Sequence, residues 1–405
     1  MSLAMGLGVG QQRRAISGLT SVQRARAAAL VAAIDAATTI PTATGDDVVT
    51  WSQSGSFGNS TLNGTSFGSL SSSLLPRSPD CTPIGAVYED KPDQGAPWTQ
   101  TIGRESTTGL VGTASMGPGF RFRIDADAFE IACAALGPMR LKVNGAWSSV
   151  YTEASGAGFP QVKAAFATKA VRDIEFYPYD DVIIGFNVAP GDTITAAPVL
   201  DTPSVALFGD SFVEANYTYN DPPTDLQGFG IALREACNFP NLLLLGQPGQ
   251  GAAKAGDDGA KTFLQRVAAG DLRQRGSDAL DLVIFHNSIN DFDQDPATIK
   301  ANWTSIIAAA RADHPDAFIW GFSGFEWPTG WAVDAAHDAA FVEAFDECAA
   351  MDALIGVWDG DGQIVTEANE ATYRRPEDPH FTAAGAVYTA GLVKTQLRAF
   401  LASKT

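Results

Sequence analysis

Four short stretches of the chain carry residue types that can do chemistry together. In order they are Gly209-Asp210-Ser211-Phe212, Gly246-Gln247-Pro248-Gly249-Gln250-Gly251, Ser288-Ile289-Asn290-Asp291 and Glu377-Asp378-Pro379-His380. A serine hydroxyl is a weak nucleophile until an imidazole can take its proton. The tetrahedral adduct that follows needs fixed hydrogen-bond donors, each typically worth about 3 kcal/mol. One serine, one histidine, an acid to orient it, and an asparagine with a glycine as donors make such a set, and no metal is required.

These residues must be brought together by elements far apart in sequence. Apolar runs at 204–208 (SVALF), 242–245 (LLLL), 282–286 (LVIFH), 317–322 (AFIWGF) and 354–358 (LIGVW) are short and nearly uninterrupted. Buried parallel strands read this way because helices cover both faces. Helical stretches separate them: 296–312, capped by Asp295 with Pro296 in the first turn, then 334–351, and a last one from about Thr382 to the end. The alternation predicts a doubly wound α/β/α layer, in which ligands bind at the carboxyl ends of the strands. Ser211 falls on a tight strand-to-helix turn straight after SVALF, where helix-terminal N–H groups favour developing negative charge. The glycine-rich motif follows LLLL directly, and Asn290 follows LVIFHN.

Taken in this order, the four motifs resemble those of the SGNH (GDSL-like) hydrolase family over roughly residues 204–405, about half the chain. The resemblance implies a flavodoxin-like α/β/α hydrolase domain that cleaves esters. It implies Ser211 as nucleophile, His380 as the base that takes its proton, and an oxyanion hole made of the Ser211 and Gly249 backbone N–H groups and the Asn290 side-chain amide. Two positions depart from the family pattern. Ser288 stands where the family has glycine. Glu377 stands where it has aspartate, three residues before the histidine, while Asp378 lies two before it. Spacing favours Glu377 as the orienting acid and residue type favours Asp378.

The chain ahead of this region divides in two. Residues 1–45 read as a leader followed by an alanine-rich helix over 22–37, capped by Thr20 or Ser21. Residues 46–200 have β texture. Phe120, Phe122 and Ile124 alternate with Arg121 and Arg123; Met139, Leu141 and Val143 alternate with Arg140 and Lys142. Period-two patterning puts one face inward, and Asn144-Gly145 marks a hairpin turn. Short strands with Gly, Pro and Asn punctuation predict an antiparallel β-sandwich, joined to the hydrolase domain (201–405) by a linker near 195–203. A sandwich ahead of an SGNH domain resembles the architecture of some carbohydrate esterases. Phe325, Trp327 and Trp331 crowd the loop after the fourth strand, where they either stack on sugar rings or pack the loop. The expected substrate is therefore a carbohydrate O-acetyl ester. The competing readings are a lipase or arylesterase acting on small acyl esters, and a non-enzymatic carbohydrate-binding or virion attachment protein with vestigial catalytic residues.

Composition narrows the partners. Lysines and arginines number 27 against 46 aspartates and glutamates, a formal charge of −19. Such a field repels phosphate backbones and anionic lipid surfaces, which argues against nucleic acid and membrane. Cys81, Cys133, Cys237 and Cys348 lack metal-site spacing and are expected as buried thiols. No cofactor is expected: the glycines at 246, 249 and 251 lack dinucleotide spacing and there is no Walker lysine. Arg13 and Arg14 follow rather than precede the mildly apolar start, the reverse of a signal peptide, and no apolar run reaches about 18 residues. These features fit a cytoplasmic or virion-associated protein. Gly64-Thr65-Ser66-Phe67-Gly68 matches a nucleophile elbow but has no apolar strand before it. His286, His314 and His337 are expected to be structural.

Overall fold

The computed structural model describes residues 18–56, 61–62, 82–84, 87–91, 98–102, 119–133, 139–151, 160–178, 182–198, 200–214, 228–256, 261–273, 279–324, 335–360, 363–366, 368–375 and 379–405. It opens with helix α1 (Ser21–Asp35), where Thr20 and Gln23 form a reciprocal capping box. Among the described residues ten strands follow: β1 (Thr50–Ser56), β2 (Thr82–Ile84), β3 (Val87–Lys91), β4 (Trp98–Ile102), β5 (Gly119–Cys133), β6 (Met139–Val143), β7 (Ala146–Trp147), β8 (Pro160–Pro178), β9 (Val182–Val188) and β10 (Thr193–Thr195). All their pairings are antiparallel, in the order β3-β4-β9-β5-β8-β6-β7, with β1 added on β8 and with β2 and β10 on β5.

The charged alternation in β5 is explained by its partner. Arg121 faces Glu175 and Arg123 faces Asp173 across the β5–β8 ladder, at 2.9 and 2.7 Å, so the polar face carries complementary cross-strand pairs. The other face buries Phe120, Phe122, Ile124 and Ala126. A register shift between Ala126 and Ala128 then exchanges the faces, so that Phe129 and Ile131 continue the same core. The hairpin turn is as expected, with φ of 50° at Asn144 and 81° at Gly145.

The second half holds β11 (Val205–Gly209), α2 (Ser211–Glu214), α3 (Phe229–Ala236), β12 (Leu243–Gly246), α4 (Phe263–Ala269), β13 (Leu282–His286), α5 (Pro296–Asp313), β14 (Phe318–Phe322), α6 (Ala335–Ala349), β15 (Ile355–Trp358), α7 (Glu370–Tyr373) and α8 (Ala383–Ala402). Its five strands are all parallel, in the order β12-β11-β13-β14-β15. Numbered within the sheet this is 2-1-3-4-5, the flavodoxin-like order, which reverses direction between β11 and β13. Both faces are covered. Leu207, Ile284 and Trp320 pack with α3 and α8, while Phe208, Phe285 and Ile319 pack with α4, α5 and α6. Helix α1 joins the first of these cores through Ala27, Leu30 and Ile34, all fully buried. The chain thus lays down one helix of the α/β layer before it builds the antiparallel sheet.

The two sheets meet through a buried charge cluster. Lys142 on β6 lies 3.4 Å from Glu235 on α3 and 3.8 Å from Glu175 on β8, and the Arg234 guanidinium sits 4.5 Å from the Tyr177 ring. Burial pulls the Lys142 amine below its ordinary range against the pull of both glutamates. Cys237 caps the C-terminus of α3 with its thiol fully buried, and burial pushes it up to about 12. Alkylation at about pH 9 is expected to spare Cys237 in the native protein and label it once the chain is unfolded, since only the thiolate reacts. Comparable labelling in both states would show the thiol to be exposed. Because the folded value lies above the unfolded one, this group's stabilisation is complete below pH 9 or so and is lost as pH rises toward about 12.

Candidate active site

Three strand ends converge at the point where the sheet order reverses. Gly209 closes β11 in a space that excludes a side chain: a Cβ there would lie 2.6 Å from Val213 Cγ2 and 3.1 Å from His286 Cβ. The turn that follows buries Asp210 completely and leaves Ser211 7% exposed at the start of α2. Asp210 Oδ1 accepts from the Phe212 N–H at 3.0 Å, an Asx-type contact that closes the turn.

His380 reaches this turn from a loop just ahead of α8. The loop is pinned to the end of α7 by the Arg375 N–H donating to His380 O, the Thr382 N–H donating to Tyr373 O, and a bridge between Arg374 and Phe381. Thr382 caps α8, its hydroxyl accepting from the Gly385 N–H. The result is a 2.7 Å contact between His380 Nε2 and Ser211 Oγ, within the reach required of a base and its nucleophile. The Phe212 ring, 5.0 Å from the imidazole and 5.1 Å from the Phe381 ring, covers the apolar side of the pair.

The turn after β12 supplies the second wall. Gly249 has φ of 70°, a left-handed conformation that favours glycine, and Gln250 beside it is fully buried. This turn is held by Asp291, whose carboxylate accepts from the N–H groups of Ala252, Ala253 and Lys254 at 2.7, 3.0 and 2.9 Å. A Cβ on Gly251 would overlap that carboxylate, which explains a glycine where φ does not demand one. Burial pushes the Asp291 carboxyl up, and the three backbone donors oppose the shift.

The third wall follows β13. Ser288 caps a one-turn 3₁₀ helix over Ile289–Asp291, and its hydroxyl accepts from the Asn290 N–H. The Asn290 amide nitrogen lies 3.0 Å from Ser288 Oγ, 3.1 Å from Gln250 O and 3.3 Å from Asp210 Oδ2. Residues from three of the four motifs therefore share one hydrogen-bonded cluster, and the fourth delivers His380 to the same turn.

Beneath the cluster lies a residue that sequence reasoning missed. Arg266 on α4 is fully buried. It donates to Leu245 O at 2.9 Å, Gln250 Oε1 at 3.4 Å, Gly209 O at 3.5 Å and Asp271 at 2.8 Å, with its guanidinium 4.2 Å from the Phe208 ring. It ties the ends of β11 and β12 together. A single arginine in the helical stretch FLQRVAA carries no motif; its only sequence signal is a cation on the apolar side of a short helix.

The remaining histidines pack the structure. His314 Nε2 donates to Leu272 O and its Nδ1 accepts from the Leu280 N–H, and burial pulls its pKa down. His286 is fully buried, with Nδ1 3.5 Å from Asp210 Oδ1. His337 lies in the first turn of α6 and donates to Gln294 O. The aromatic candidates Phe325, Trp327 and Trp331 and the acid candidates Glu377 and Asp378 lie outside the described residues. Among the described residues no group of acidic, histidine or cysteine side chains has the arrangement of a metal site, and no helix is long and apolar enough to cross a membrane.

The sequence matches no family model and no curated protein. Solved structures are similar. An active-site mutant of a family two carbohydrate esterase from Clostridium thermocellum, in complex with a cello-oligosaccharide, shares 14% identity over 80% of this chain and 98% of that one, with a TM-score of 0.60. A salicylyl-acyltransferase from a tetracycline biosynthetic pathway shares 16% over 79% and 95%, with a TM-score of 0.61. An acetyl xylan esterase from the rumen bacterium Butyrivibrio proteoclasticus shares 13% over 80% and 97%, with a TM-score of 0.55. The likeness covers about four fifths of this chain and nearly the full length of each of these proteins, and it shows a shared fold.

Proposed function

We propose that this protein is a serine esterase of the SGNH type that removes O-acyl groups, acetyl groups on carbohydrate above all. The observation that carries the reading is the 2.7 Å contact between His380 Nε2 and Ser211 Oγ at the carboxyl edge of a flavodoxin-like sheet. Ser211 Oγ attacks the ester carbonyl as His380 takes its proton. The tetrahedral oxyanion is met by the Ser211 and Gly249 N–H groups and the Asn290 amide, and His380 then returns the proton to the departing sugar hydroxyl. Water repeats the cycle on the acyl-enzyme. Either Glu377 or Asp378 orients the imidazole. In this reading residues 201–405 form the hydrolase domain, with α1 contributed from the 1–45 segment, and residues 46–200 form a sandwich-like accessory domain.

The choice of acyl group is supported by the fold shared with a carbohydrate esterase and an acetyl xylan esterase. Phe325, Trp327 and Trp331 are the aromatic faces on which a sugar would stack. The test is acetate release from acetylated xylan and other acetylated polysaccharides, run beside p-nitrophenyl esters of increasing chain length. Turnover is expected to be fastest with acetyl and to fall with chain length, with acetate freed from polymer. Preference for long acyl chains would favour a lipase, and absence of turnover on every ester would leave a binding protein.

A further inference from the structure

The third motif departs from the resembled family by a serine in place of glycine, and the structure gives that hydroxyl a task. Ser288 is 3% exposed with φ of −94° and ψ of 134°, extended backbone that any residue adopts, so glycine is not needed for the turn. Two buried acceptors converge beside it, Asp210 Oδ2 at 2.8 Å and Gln250 O at 2.6 Å. The Asn290 amide nitrogen reaches both of them as well. Buried acceptors left without a donor cost about 1–3 kcal/mol each, so both will be satisfied. A hydroxyl has one proton and an amide has two. Without the hydroxyl, both amide hydrogens of Asn290 are drawn onto Asp210 and Gln250. With it, Ser288 serves one acceptor and Asn290 needs to serve only the other.

We infer that Ser288 is a positioning residue that, by donating its proton to Asp210 or Gln250, frees one hydrogen of the Asn290 amide for the oxyanion. Ser288 Oγ also accepts from the Asn290 backbone N–H, which fixes the turn from which that amide projects. The inference rests on the esterase reading above. Ser288→Ala deletes a single atom and introduces no clash. It is expected to lower kcat about ten- to a hundredfold, short of the full two to three decades of a deleted oxyanion donor, with KM nearly unchanged. Asn290→Ala should cost more. Adding Ser288→Ala to Asn290→Ala should then cost less than twofold, because the role passes through that amide. Full activity in the single mutant, or an undiminished loss on the Asn290→Ala background, would overturn the inference while leaving the esterase reading intact. A wild-type protein inactive on every ester would instead remove the esterase reading itself. Should Ser288→Ala fold poorly by circular dichroism, Ser288→Gly in the same cycle gives the same comparison without a side chain.

Discussion

Ser211→Ala is expected to lower the kcat for p-nitrophenyl acetate by about four to six decades, with the fold unchanged. The size follows from what the hydroxyl does. In the proposed mechanism Ser211 Oγ, 2.7 Å from the His380 imidazole at the start of α2, forms the acyl bond, so removing it removes the covalent pathway. His380→Ala should cost nearly as much, since the hydroxyl without its base is a weak nucleophile. The double mutant should be little worse than either single one, because two residues acting as a unit do not add. Steady-state assays on the three variants, with circular dichroism for folding, decide the matter. Unchanged turnover in Ser211→Ala would reject the assignment. Losses that multiply in the double mutant would mean that serine and histidine act in separate steps, against the contact between them.

The site was legible to the extent that it depends on residues at strand ends. All five parallel strands lie within a residue or two of the apolar runs, since burial on both faces leaves them no polar interruption. Capping at Thr20 and Asp295 was readable because a cap is a local contact over three residues. What escaped was non-local. The apolar residues of α1 give no hint that their partners include Val205, Leu397 and Leu401. The face exchange inside β5 was hidden because a bulge breaks period two where the sequence shows only Ala126-Asp127-Ala128. Asp291 looked like the end of a motif, and only the structure reveals it as the anchor for three N–H groups of another loop. Polar residues whose partners are backbone atoms on distant strands leave no pattern to read.

Arg266 belongs to that class, and its removal is the structural counterpart of removing the Ser211 hydroxyl. Arg266→Met is expected to destabilise the protein by about 3–5 kcal/mol, because it strands the Asp271 carboxylate, itself 1% exposed, without its cation. Much of that loss belongs to the uncompensated charge rather than to the worth of the pair. Arg266→Met with Asp271→Leu should therefore recover most of the stability, read as the midpoint of denaturant unfolding. Activity is expected to behave differently. The guanidinium also holds Leu245 O and Gly209 O, at the ends of the strands that lead into Gly249 and Ser211. Methionine offers no donor to either carbonyl, so the double mutant should regain its fold yet keep a kcat reduced about tenfold or more, since a shift of about 1 Å in catalytic groups can cost two decades. If stability and kcat recover together, Arg266 stabilises the fold alone. If stability recovers and kcat does not, the register between nucleophile and oxyanion turn is set from beneath the sheet, by a residue that never meets the substrate.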